Sequence, residues 1–65
     1  MPTPFTARLR LKAMQAMCDA IQGKSEIDII SIVENIAADF THQHKVSYGK
    51  VADYLEAQYD VMTST

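Results

Sequence analysis

The chain has 65 residues, 48% of them hydrophobic and 22% charged, with a net charge of -2. That is material for one soluble domain, because a second core could not be built from what remains. Two Gly and two Pro exclude collagen-like and low-complexity classes, and the apolar fraction is too high for a disordered chain.

Hydrophobic spacing predicts an all-α, compact three-helix domain with helices at approximately 4–22, 26–43 and 47–62. Residues 1–65 form one domain on this reading, with short flexible ends at 1–3 and 63–65. The first helix can be capped by Thr3, with Pro4 in its first position, or one turn later by Thr6, and it stops at Gly23. At about 100° per residue, Arg8, Lys12, Gln15, Asp19 and Gln22 fall within one arc of about 80°, while Leu9, Ala13, Ala16, Met17, Ala20 and Ile21 lie elsewhere.

Ser25 reads as the N-cap of the second helix, with Glu26 and Asp28 in the first turn, where carboxylates complement the positive end of the helix dipole. Ile29, Val33, Ile36 and Phe40 share one face, flanked by Ile30, Ile32 and Ala37 and opposed by Asp28, Ser31, Glu34, Asn35 and Asp39. The run Ile27 to Val33 is rich in β-branched residues, so a strand competes there. The period of 3.6 continues through Phe40 and favours the helix, which the polar segment Thr41 to Lys45 closes. Ser47 caps the third helix, whose core-facing stripe is Tyr48, Val51, Ala52, Leu55, Tyr59 and Met62, with Gly49 in the first turn.

A core of this size buries only about 60% of the unfolded chain's surface, so further stabilisation is needed. The sequence offers no disulfide partner for Cys18 and no four-ligand metal set, which leaves good helix packing or self-association, and a homodimer is expected. The first helix is apolar around about 240° of its circumference, more than one core requires. The Ala13, Ala16 and Ala20 side is assigned to the intramolecular core, which turns Leu11, Met14 and Cys18 outward. On the third helix Tyr54 and Val61 fall nearly opposite the main stripe, with Ala57 between them. Leu11, Met14, Cys18, Tyr54 and Val61 are the expected association surface.

Charge is segregated. Residues 1–24 carry Arg8, Arg10, Lys12 and Lys24 against Asp19, while residues 25–44 carry Glu26, Asp28, Glu34 and Asp39 with no Lys or Arg. These segments could attract each other across the fold or across a dimer. Arg8, Arg10, Lys12 and Lys24 are also candidate contacts for nucleic acid phosphate or an acidic protein, and Asp28, Glu34 and Asp39 for a basic protein. An isoelectric point near 5.4 weighs against nucleic acid. A helix-turn-helix fits poorly: the connection near Thr41 to Val46 is long and lacks Gly, and Asp53, Glu56 and Asp60 on the third helix would repel phosphate.

Asp39, His42 and His44 could offer a metal three ligands, but His residues at i and i+2 do not share a helical face, so no metal site is expected. Cys18 has no basic neighbour at i±3 or i±4 to lower its pKa and reads as inert. No local Ser or Cys with His arrangement suggests nucleophilic catalysis, and the two glycines stand alone rather than forming a phosphate loop. No enzyme activity, cofactor or small-molecule substrate is expected. No stretch approaches the roughly 18 apolar residues of a membrane span, and no secretory signal is evident, so a cytoplasmic location is expected. The expectation is a non-enzymatic regulatory or interaction protein that binds another macromolecule, in the first place a protein. The alternative is a DNA-binding transcriptional or nucleoid regulator that uses the basic N-terminal helix.

Overall fold

Thr6 is the residue at which the chain turns helical. Its backbone is extended and its hydroxyl accepts from the Leu9 N–H at 3.3 Å, which caps α1 (Ala7–Ala20). The structure, a computed structural model, describes residues 3–64. The earlier start at Thr3 and Pro4 is not used: residues 3–6 lie outside the helix, and the Thr3 N–H donates to the Lys45 carbonyl at 2.8 Å. At the other end the Ile21 N–H still bonds the Met17 carbonyl, and the chain then reverses through Gly23 at φ +71°. Only glycine enters that left-handed region without a Cβ penalty. The first helix is therefore shorter at both ends than its periodicity suggests.

Ser25 begins α2 (Glu26–His44) as expected, its hydroxyl accepting from the Asp28 N–H at 3.4 Å. The β-branched run from Ile27 to Val33 is helical throughout, so the competing strand does not form. A local preference for extended backbone is outweighed when a 3.6-residue stripe has a core to enter. Lys45 ends α2 in the left-handed region at φ +60°, its N–H on the Thr41 carbonyl and its ammonium on the His42 carbonyl at 2.9 Å. Both bonds satisfy carbonyls that the last turn leaves free. Ser47 precedes α3 (Tyr48–Thr63) but makes no side-chain cap bond.

Of the ends expected to be flexible, residues 1, 2 and 65 lie outside the described residues. Thr3 is bonded as above, and Thr63 is the last residue of α3, its hydroxyl donating to the Tyr59 carbonyl at 3.0 Å.

The three helices form a compact domain of 35 × 20 × 17 Å in which every pair packs together, α2 against α3 most extensively. Ala13 and Met17 of α1, Ile29, Val33 and Ala37 of α2, and Val51 and Leu55 of α3 make the buried core with Val46. Phe5, Leu9, Met14, Ile21, Ile36, Phe40, Ala52, Tyr54 and Tyr59 pack around it half-buried. Fully buried side chains such as Met17 and Leu55 contribute about 1.5–3 kcal/mol each, which is how so short a chain holds together. Val46 has no place in the periodic pattern, yet it is buried in the core cluster, directly after the left-handed Lys45. Tyr48 and Met62, the outermost members of the expected stripe on α3, are both 42% exposed. They occupy the first and last turns, where a three-helix stack offers fewest neighbours. Among the described residues, no helix is long and apolar enough to cross a membrane.

Candidate interaction cleft

The connection between α2 and α3 is only residues 45–47, so the helices run antiparallel and the start of α2 lies beside the end of α3. There they diverge around a cleft of about 250 Å³ lined by Glu26, Ile29, Ile30 and Val33 of α2 and by Glu56, Tyr59 and Asp60 of α3. Ile29 and Val33 are buried at its base and Tyr59 is half-buried, whereas Ile30 is 55% exposed. Glu26, Glu56 and Asp60 are exposed around this apolar floor. Ile27, one turn before Ile30, extends the apolar surface and is 80% exposed.

The chemistry of the cleft follows from this composition. Three carboxylates around a low-dielectric floor create a local negative potential, which favours a cation over water alone. Tyr59 adds an aromatic ring to this lining. Lys and Arg side chains, with apolar stems and charged heads, match both parts at once. The volume is below the roughly 300–1,000 Å³ of sites that enclose small organic ligands, and suits one or two protruding side chains.

The candidate residues of the sequence are distributed unevenly. Arg8, Leu11 and Lys12 are exposed together on the side of α1 opposite its buried face. Arg10 points about 160° away from Arg8, and its guanidinium donates to the Phe5 carbonyl at 3.2 Å. Lys24 lies past Gly23 at the far end of α1, about 20 Å along the axis. The four cations thus share no single surface. Asp28, Glu34 and Asp39 are all exposed on α2, but none lines the cleft, and only Glu34 stands one turn from Ile30.

The expected association surface is likewise divided. Leu11 and Val61 are 59% and 63% exposed, while Cys18 is half-buried and Met14 and Tyr54 pack against the core. Tyr54 is covered by Phe5, delivered by the segment before α1. His44 leans on Phe40 with ring centroids 5.1 Å apart, and among the described residues no three His, Cys, Asp or Glu side chains converge as metal ligands.

Comparisons with protein-family models, curated proteins and solved structures find no match for this chain. The cleft itself escapes sequence reasoning because it is shared between helices: Glu26 reads as a dipole partner, and Glu56 and Asp60 as solvated charges. Antiparallel pairing of α2 with α3 brings them together through a connection of residues 45–47, shorter than the Thr41 to Val46 link expected from the sequence.

Proposed function

We propose that this chain is a non-enzymatic interaction domain that binds and modulates another protein, and that its α2–α3 cleft receives a segment carrying Lys or Arg beside an apolar residue. The observation that supports this reading most strongly is the apolar floor of Ile29, Ile30, Val33 and Tyr59 with Glu26, Glu56 and Asp60 around it. Apolar contact supplies affinity to such a segment, and the carboxylates supply orientation and faster encounter. DNA binding through α1 is less well supported, because Arg8 and Arg10 point to different sides and Lys24 stands at the far end of the helix.

The test is a fluorescence titration of the protein with a short helical peptide that places Arg or Lys at i and i+4 around Leu at i+3, alongside a labelled DNA duplex. Saturable peptide binding, weakened by Glu56→Lys with Asp60→Lys and moderately by salt, is the expected result. DNA retention that falls steeply with salt, without peptide binding, would overturn the reading in favour of a regulator that contacts DNA.

A further inference from the structure

The structure carries, on α1, a surface that complements the cleft. Arg8, Leu11, Lys12 and Gln15 lie within about 100° of one another around the helix, all exposed and centred about 170° from the buried Ala13 and Met17. Leu11, the apolar member, is 59% exposed and lies at one edge of this arc, about 60° from Arg8 and about 100° from Lys12. The spacing i, i+3, i+4 puts one apolar side chain beside two long cationic ones on a single helical face. The cleft offers the complementary groups, an exposed Ile30 with the carboxylates of Glu26, Glu56 and Asp60.

Within one molecule the two surfaces cannot meet. The α1 strip faces away from the core, and the cleft opens between α2 and α3. We propose that a second copy of this chain supplies the occupant: the Arg8–Leu11–Lys12 face of one protomer seats on the α2–α3 cleft of another, Leu11 against Ile30 and Tyr59, the cations toward Glu26, Glu56 and Asp60. This rests on the cleft as the binding surface proposed above and names the partner that the chain itself encodes. The strip and the cleft are different surfaces, so the contact is heterologous and joins copies head to tail. Two helical turns on one cleft bury less than the roughly 1,200 Å² of a stable assembly, which puts the contact in the weak class. Self-association of that strength leaves the cleft open to a competing partner with a better basic segment.

Two charge-reversed proteins test this by sedimentation equilibrium from tens to hundreds of micromolar. The first carries Arg8→Glu with Lys12→Glu, and the second Glu56→Lys with Asp60→Lys. All four positions are exposed, and circular dichroism checks that each variant remains helical. The unaltered chain is expected to rise in mean mass above its 7.3 kDa with increasing concentration. Each variant alone is expected to associate about tenfold more weakly, for two lost charge pairs at an exposed interface. An equimolar mixture of the two is expected to recover association, because each acidic surface then meets a basic one. A chain that stays monomeric yet binds the basic peptide overturns the second-copy contact and leaves the cleft reading standing. Self-association that neither reversal weakens places the contact elsewhere and also overturns it. Recovery in the mixture without peptide binding upholds the second-copy contact and removes only the outside partner.

Discussion

The ring of Phe5 stands edge-on to that of Tyr54, with centroids 5.6 Å apart and planes at 82°. This pair fastens the segment before α1 to the middle of α3, and the Thr3 bond to Lys45 fastens the same segment to the end of α2. Residues that precede the first helix therefore tie all three helices together. Replacing Phe5 with Ala removes the aromatic pair, about 0.5–1.5 kcal/mol, and the burial of a half-exposed ring. The expected loss is about 2 kcal/mol by urea denaturation, a large share of the roughly 3–10 kcal/mol available to a domain of this length. An unchanged midpoint would mean that the segment is dispensable.

Thr41 has the opposite sign. Its hydroxyl oxygen is buried without a hydrogen-bond partner among the described residues, a condition that costs about 1–3 kcal/mol of desolvation. Thr41→Val keeps the shape and replaces the hydroxyl with a methyl group. Thermal unfolding should show the variant more stable by about 1 kcal/mol. A destabilised variant would show that the hydroxyl finds a partner in solution.

The two serines that precede α2 and α3 look alike in sequence and differ in structure. Ser25 accepts from the Asp28 N–H, whereas Ser47 makes no side-chain cap bond. Ser25→Ala is expected to cost about 1 kcal/mol. Ser47→Ala should fall within about 0.5 kcal/mol of zero, as surface substitutions do. Denaturant midpoints of the two variants, measured side by side, check the difference directly, and equal losses would contradict it.

The helices were legible in the sequence because their information is local. Ile29, Val33, Ile36, Ala37 and Phe40 recur at helical spacing, and Ser25 and Gly23 mark a start and a stop by their own chemistry. Val46 was not legible, since it lies in the connection between α2 and α3, outside the periodic stripe of either helix. Met14 and Tyr54 look outward on a helical wheel, which takes no account of neighbours, and in the fold Tyr54 meets Phe5. Of the apolar residues that the sequence turns outward on α1, Leu11 is 59% exposed, whereas Met14 and Cys18 are half-buried. The cleft depends on which ends of α2 and α3 lie together, a property of the tertiary pairing rather than of either helix.

The measurement that tests the cleft most directly is an amide chemical-shift map of the isotopically labelled protein during titration with the basic helical peptide, in enough salt to suppress non-specific attraction. The account predicts saturating shifts grouped at Glu26, Ile29, Ile30, Val33, Glu56, Tyr59 and Asp60, with Asp28 and Asp39 little affected. Shifts confined to other surfaces, or none at all, would contradict it.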